Sequence, residues 1–308
     1  MEIAVHRAGM LTTVQDAGRF GHRAAGVPVS GAVDAFAGRV ANLLVGNPEH
    51  AAVLEFTLVG PELEFGADAL IALTGADFGG DVGLWQPLRV TAGAVLRLAA
   101  ARQGCRGYLA VAGGFDVPPV LGSRSTFLRG GFGGLNGRAL RDGDRLTVPD
   151  VPRSVTGHWR IDPRVVPPYS ESPQVRMVRG ADGAEFDDTI YGAAYRVAPQ
   201  SDRMGLRLQG PLLSRVNGAE LPSAPVTPGT VQVPPDGQPI VLLADAQTIG
   251  GYPQLGHVVT ADLPLVAQLR PGDTVRFQSV TLAAAREATL ARERALAMLR
   301  QGLAGKIG

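Results

Sequence analysis

Short apolar runs broken by glycine, proline and aspartate recur along the whole chain and restrict the folds open to it. The runs at residues 54–58 and 240–244 have the length of strands, and dipeptides such as Gly60-Pro61 mark turns between such runs. The 308 residues include 41 glycines and 23 prolines, which are costly inside helices and suit tight turns and strand ends. This pattern predicts a mainly β fold.

Two segments have helical periodicity instead. Residues 33–44 carry apolar side chains at helical spacing, and either Ser30 or Asp34 can serve as the N-cap. Residues 282–303 repeat leucines on one side and charges on the others. We therefore expect a few short helices and a helix at the C-terminus.

Six prolines between residues 149 and 173 separate two β-rich halves. Such a density prevents regular strand pairing and is typical of a connection between domains. We predict an N-terminal β-barrel domain at residues 1–150, a proline-rich connection at 151–174, and a C-terminal β-barrel domain with a terminal helix at 175–308.

The charged residues argue against two classes of ligand. The 29 basic and 28 acidic residues form no long run of one sign, so we expect no nucleic-acid partner. Lys306 is the only lysine, and Ile307 follows it, whereas a P-loop needs lysine followed by serine or threonine. If ATP is used, we expect it to be bound outside this chain.

The chain also lacks the patterns of membrane and metal-binding proteins. No run approaches the roughly 18 apolar residues of a membrane span. Glu2 and Arg7 lie where a secretory signal needs an apolar run, so we expect a cytoplasmic protein without a membrane contact. Cys105 is the only cysteine and the five histidines are scattered singly, so we expect no disulfide and no metal site.

Polar residues bounded by glycine form the candidate sites of the N-terminal half. Asp16 and Arg19 follow a Thr-Thr-Val-Gln run, and they could fix a polar ligand or tie down a loop. Arg124 precedes residues 129–137, which contain five glycines and could either approach a carboxylate or phosphate closely or form a surface loop. We predict that Asp16, Arg19 and Arg124 bind substrate.

The C-terminal half has a stronger candidate. An apolar strand at residues 240–244 leads into Asp245, Gln247 and Thr248, and a Gly-Gly-Tyr-Pro turn follows. An aspartate can act as a base or an acceptor, glutamine and threonine can orient an amide, and glycine N–H groups can stabilise an oxyanion. A Ser-Asp-Arg run before another strand suits a barrel mouth or an exposed surface. The predicted catalytic residues are Asp245, Gln247 and Asp202, and the predicted binding residues are Ser201, Arg203, Thr248 and Tyr252.

Seven runs along the chain carry a family resemblance from residue 12 to beyond residue 253. In order they are TTVQDAGR, GVPVSGAVD, ANLLVGN, YLAVAGGFDVPPVLGSRST, SDRMGLRLQG, QVPPDGQPI and ADAQTIGGYP. Together they resemble the KipA family, also called allophanate hydrolase subunit 2 or the C subunit of the prokaryotic ATP-dependent 5-oxoprolinase. Ala246 stands where that family often has arginine, and Ile249 stands where it often has threonine.

This resemblance implies a fold, partners and a reaction. It implies two cyclophilin-like β-barrel domains in a complex with two other subunits, one similar to KipI and allophanate hydrolase subunit 1, the other LamB/YcsF-like. Such complexes use ATP to cleave 5-oxoproline, a lactam, to glutamate. The related domain of urea amidolyase moves a carboxyl group from carboxybiotin to urea, so a biotin-dependent carboxyltransferase component is one alternative. A regulator that binds a KipI-like kinase inhibitor is another.

Overall fold

The described residues form two compact units. The computed structural model describes residues 1–79, 83–151, 155, 159–216 and 221–307. The first unit comprises Met1–Phe20, Ser30–Pro167 and Ala295–Gly308, and the second comprises Gly21–Val29 and Pro168–Arg294. The chain passes between the units at several places, one of them between Pro167 and Pro168. Residues 152–154 and 156–158 of the predicted connection lie outside the described part, and the predicted domain bounds stay predictions.

The first unit is built on two antiparallel sheets. Its strands are β1 (Glu2–Arg7), β2 (Leu11–Gln15), β3 (Val53–Thr57), β4 (Glu62–Phe65), β5 (Ala69–Asp77), β6 (Pro87–Val90), β7 (Val95–Arg97), β8 (Gln103–Val111) and β9 (Arg145–Thr147). One sheet has the order β7-β4-β1-β9 and the other the order β2-β3-β8-β5-β6. Apolar side chains of both sheets, among them Ile3, Phe65 and Leu109, pack in one core cluster.

One helix, α1 (Ala35–Leu44), packs on the five-stranded sheet. Its apolar stripe, which includes Phe36 and Val40, is buried in a second cluster with Tyr108. Of the two predicted caps, Asp34 is the one used, because its Oδ1 accepts a hydrogen bond of 2.9 Å from the backbone N–H of Ala37.

The second unit contains a closed seven-stranded barrel with the order β10-β17-β14-β15-β12-β11-β18. The strands of this unit are β10 (Gln174–Arg179), β11 (Ala194–Val197), β12 (Gly205–Gln209), β13 (Ala224–Pro225), β14 (Thr230–Gln232), β15 (Ile240–Leu242), β16 (Ile249–Gly250), β17 (Gln254–Val258) and β18 (Thr274–Ser279). Strands β10 and β18 pair in parallel, and the other barrel pairs are antiparallel. Strands β13 and β16 form a separate two-stranded ribbon.

Three further helices follow in the chain, namely α2 (Thr189–Gly192), α3 (Leu263–Ala267) and α4 (Leu282–Leu303). The last has the bounds predicted from the leucine repeat. Its residues up to Arg294 count with the second unit and those from Ala295 with the first, where Leu296 is buried in the α1 cluster. None of the helices in the described part of the chain combines the length and apolar character that a membrane span requires.

The prediction of a mainly β chain with few helices and a C-terminal helix is confirmed. Barrel closure is found in the second unit, whereas the first unit keeps its strands in two separate sheets. Several short strands, including β1 and β4, have too few apolar residues to have been singled out in the sequence, and they gain their burial from the opposite sheet.

Candidate functional site

Asp16, in the first unit, is the centre of a dense hydrogen-bond cluster. Its Oδ1 accepts from the hydroxyls of Ser123, at 2.7 Å, and Ser125, at 2.5 Å, and its Oδ2 accepts from the backbone N–H of Arg124 at 2.6 Å. The backbone N–H of Gly18 also donates to Oδ1, at 2.8 Å. The carboxylate therefore joins two sequence runs that lie more than one hundred residues apart.

Arg19 and Arg124 donate hydrogen bonds to backbone carbonyls of the segment that carries Ser123 and Ser125 or of the residues just before it. Arg19 is fully buried, donates from Nη2 to Ser125 O at 2.6 Å, and lies over the Phe132 ring at 4.8 Å. Arg124 donates from Nε to Val117 O at 2.9 Å. The structure thus brings the three predicted N-terminal binding residues together, in contacts that fix loops.

The glycine-rich segment belongs to this cluster. Gly133 has a φ of +75°, and a Cβ there would lie 2.0 Å from Ser125 O. Only glycine allows the segment to pack so closely against the chain that carries Arg19 and Arg124. The tight packing favours the interpretation of residues 129–137 as a fixed part of the fold.

Arg203 and Asp245 form a buried ion pair in the second unit. Arg203 Nε lies 2.8 Å from Asp245 Oδ2, Nη2 lies 3.2 Å from Oδ1, and both side chains are only 5% exposed. The backbone is paired as well, because Asp245 N–H donates to Arg203 O at 3.0 Å. Two hydrogen bonds between a planar guanidinium and a carboxylate fix the orientation of both side chains. Asp245 therefore anchors the start of the predicted catalytic turn.

Ser201 and Asp202 shape the turn that leads to Arg203. Asp202 is exposed, and its Oδ1 accepts from the backbone N–H groups of Met204, at 2.7 Å, and Gly205, at 3.2 Å. Ser201 Oγ accepts from the backbone N–H of Arg207 at 3.0 Å. These bonds are typical of turn residues that satisfy nearby backbone donors.

A layer of buried amides lies under the turn after Asp245. Gln232, only 1% exposed, donates from Nε2 to Tyr252 O at 3.1 Å, and Gln247 donates from Nε2 to Gln232 Oε1 at 3.4 Å. Gln254 donates from Nε2 to Pro225 O at 3.1 Å. Sequence reasoning missed Gln232 and Gln254. The sequence signal for Gln232 was its position between Val231 and Val233, because a polar side chain that is buried with apolar neighbours needs a hydrogen-bond partner.

Arg23 forms hydrogen bonds at the end of the two-stranded ribbon of β13 and β16. It lies in the 3-10 helix Arg23–Ala25 and donates from Nη2 to Val226 O and to Thr248 O. The ribbon continues beyond β13 and β16 through a bond from Val226 N–H to Thr248 O of 3.1 Å. Thr248, 7% exposed, is therefore held at the end of the ribbon, and Arg23 was not singled out by the sequence.

Tyr252 borders an open pocket of about 710 Å³. The tyrosine is 46% exposed. The pocket combines apolar walls with a few polar groups, and its lining includes Leu212, Arg215, Leu221, Pro234, Asp236 and Tyr252. Such a surface is suited to a small ligand with an apolar body and one polar edge.

One titratable group near the amide layer has a shifted pKa. His257, opposite Thr230 on paired strands, has its Nδ1 at 3.2 Å from Thr230 Oγ1. Burial lowers the pKa of His257 below its usual 6.5, so the ring is neutral at pH 7. Thr230 Oγ1 also accepts from the backbone N–H of Thr227, at 3.0 Å.

Comparison with known proteins identifies the family. A family model described as carboxyltransferase domain, subdomain A and B, matches residues 25–279. The chain belongs to this family. The match spans the predicted sites of the second unit, and the resemblance drawn from the seven sequence runs is confirmed.

Individual members of the carboxyltransferase family are similar over nearly the whole chain. The C subunit of the Escherichia coli (strain K12) 5-oxoprolinase is 43% identical over 301 residues, which cover 95% of this chain and 96% of that protein. The C subunit of the Haemophilus influenzae 5-oxoprolinase is 38% identical over 284 residues, 88% of each. The crystal structure of the K. lactis urea amidolyase superposes with a TM-score of 0.90 at 30% identity, over 97% of this chain and 20% of that one.

The candidate residues of the second unit carry side chains that can donate and accept hydrogen bonds. The residues around Gln247 and Tyr252 offer hydrogen-bond donors and acceptors, Arg215 and Asp236 line the same pocket as Tyr252, and the two charges of the buried Arg203–Asp245 pair offset each other. Among the described residues, no group of three or more His, Cys, Asp or Glu side chains could hold a metal ion. The assignments of the ten candidate residues to catalysis or binding stay predictions.

Proposed function

We propose that this chain is the C subunit of an ATP-dependent 5-oxoprolinase, which cleaves 5-oxoproline to glutamate together with partner subunits. The observation that carries the proposal is the match to the C subunit of the Escherichia coli 5-oxoprolinase, because it covers 95% of this chain and 96% of that protein. In contrast, the chain spans only 20% of the K. lactis urea amidolyase. The identity is also higher to the 5-oxoprolinase subunit, 43% against 30% for the urea amidolyase, which supports the proposal.

The partners follow from the same proposal. One is a KipI-like subunit, similar to allophanate hydrolase subunit 1, and the other is a LamB/YcsF-like subunit. We expect ATP to bind on a partner subunit, because this chain has no P-loop lysine. The only lysine, Lys306, lies with Nζ 5.4 Å from the centre of the Trp159 ring.

The reaction breaks one C–N bond. Water adds its oxygen to the lactam carbonyl carbon and its proton to the lactam nitrogen, and hydrolysis of ATP supplies the driving force. In this proposal Gln247, Thr248 and Tyr252 orient the lactam amide, and the Arg203–Asp245 pair fixes the turn that bears them. Amide side chains suit this role because each offers both a donor and an acceptor.

The test is reconstitution. The purified KipI-like and LamB/YcsF-like partners are mixed with this chain, 5-oxoproline and Mg-ATP, and the release of glutamate and ADP is measured. We expect glutamate only in the complete mixture with hydrolysable ATP. Glutamate release from a mixture without this chain, with no gain when the chain is added, would refute the proposal.

The second candidate is a biotin-dependent carboxyltransferase component, favoured by the family description and by the likeness to urea amidolyase. Biotin would then be carried by another chain. This function predicts transfer of labelled bicarbonate to urea or a related amide, with loss of transfer when avidin is added. Binding of a KipI-like partner without any turnover in either assay would favour a KipA-like regulator instead.

A further inference from the structure

Gln232 is a buried residue that contacts two of the candidate residues, Gln247 and Tyr252. Strand β14 directs successive side chains to opposite faces. Val231 is fully buried and pairs with Val241, and the register of β14 against β17 shifts between Val231 and Gln232. The hydrogen bonds of Gln232 show that its side chain lies toward the turn that follows Asp245. The side-chain amide of Gln232 is 1% exposed.

Both ends of this amide are used by the turn. Nε2 donates to Tyr252 O at 3.1 Å, and Oε1 accepts from Gln247 Nε2 at 3.4 Å. One side chain of β14 therefore contacts two candidate residues that are five positions apart in the turn. A buried amide whose N–H donates and whose oxygen accepts has one favoured orientation, and its hydrogen bonds fix the orientation of its partners.

The ribbon is packed directly on the same amide. A Cβ added at Gly250 would lie 2.8 Å from Gln232 Nε2 and 3.3 Å from Oε1. A second amide, Gln254, holds Pro225 on the facing strand of the ribbon. The turn from Gln247 to Tyr252 thus rests on Gln232 at three points.

We propose that Gln232 is a positioning residue that sets the orientation of the Gln247 amide and the location of Tyr252 for the bound lactam. The expected effect of Gln232 on turnover rests on the proposed function. Its expected effect on the turn from Gln247 to Tyr252 rests on geometry alone. Gln232 itself is 1% exposed, so it acts through its two partners.

The structural consequence is tested on the full chain by hydrogen exchange of the peptide that covers residues 247–253. Gln232→Leu removes both bonds, so exchange should rise by at least the roughly 2- to 10-fold expected for the loss of a single hydrogen bond. Gly250→Ala, which pushes against the amide without changing β14, should raise exchange in the same peptide. Gln238→Leu is the matched control, because its amide binds Gly210 at both ends instead.

The catalytic consequence is tested on the reconstituted complex. Gln232→Leu should lower kcat/KM for 5-oxoproline by about 10-fold or more, as expected for lost orientation. If Gln232 acts through Gln247, then Gln247→Leu should cost less than about 3-fold further in the Gln232→Leu background. A purely structural role would leave the two effects multiplicative.

The outcomes separate two kinds of failure. An inactive wild-type complex overturns the proposed function, while hydrogen exchange still decides whether Gln232 holds the turn. Unchanged exchange in both Gln232→Leu and Gly250→Ala, or a rise in Gln238→Leu of the same size, overturns the positioning role. Fully multiplicative effects of Gln232→Leu and Gln247→Leu on kcat/KM also overturn it.

Discussion

The Arg203–Asp245 pair gives the sharpest prediction about stability. Asp245→Asn keeps the shape of the side chain and removes its charge, which leaves the Arg203 guanidinium without its carboxylate in a site where both side chains are 5% exposed. Removing one partner of a buried ion pair costs about 3–5 kcal/mol, because the other charge stays buried. At about 2–4 °C per kcal/mol, we expect the melting temperature to fall by roughly 6–20 °C.

Thermal unfolding followed by circular dichroism measures this change, with Asp202→Asn as the matched control, since Asp202 is exposed. The double variant Arg203→Met with Asp245→Leu should recover most of the lost stability, because well-packed apolar residues often replace a buried pair without loss. A melting temperature for Asp245→Asn within about 2 °C of wild type would refute the reasoning. Turnover by the stable double variant would separate anchoring from catalysis, since a chemical role for Asp245 predicts about a 10²-fold loss.

Two further predictions concern titration and packing. Because burial lowers the pKa of His257 below 6.5, the unfolded chain binds more protons between the two values, so the free energy of unfolding should fall as the pH drops below about 6.5. Urea unfolding at several pH values should show this fall in wild type and a smaller one in His257→Gln; equal slopes would contradict it. A Cβ at Gly107 would lie 2.3 Å from Phe56 and 2.6 Å from Phe78, so Gly107→Ala should destabilise the chain by about 1–3 kcal/mol in urea unfolding. Gly192→Ala is the control and should show no such loss, because a Cβ at Gly192 meets nothing within 4 Å and its φ is not positive.

The sequence contained enough information for the fold class. Hydrophobic periodicity and the glycine and proline residues that mark turns are local signals, so helix α4 and the apolar runs could be located from them. The closure of a barrel is a non-local property, because it depends on pairs such as β10 with β18, whose residues lie about one hundred positions apart. No local pattern distinguishes such closure from two separate sheets.

The candidate residues that stand beside glycine in the sequence could be singled out from it, and those on other strands could not. Asp245, Gln247 and Tyr252 stood out as polar or aromatic residues beside glycine. Gln232 is separated from them in sequence, and only the pairing of β14 with β17 brings it under their turn. Arg23 was missed for the same reason, since its partners Val226 and Thr248 lie over two hundred residues away.

A turn whose backbone is fixed by buried side chains can serve in relatives as different as a 5-oxoprolinase subunit and a urea amidolyase. The buried donors Gln232 and Gln254 both bind backbone carbonyls, which every sequence supplies, so they fix the turn without specifying its exposed side chains. Ile249, 60% exposed, and Tyr252, 46% exposed, can then vary without loss of the fold. This arrangement predicts that a change of substrate among relatives is carried by the exposed side chains of the turn, while the buried amides and the Arg203–Asp245 pair serve each member alike.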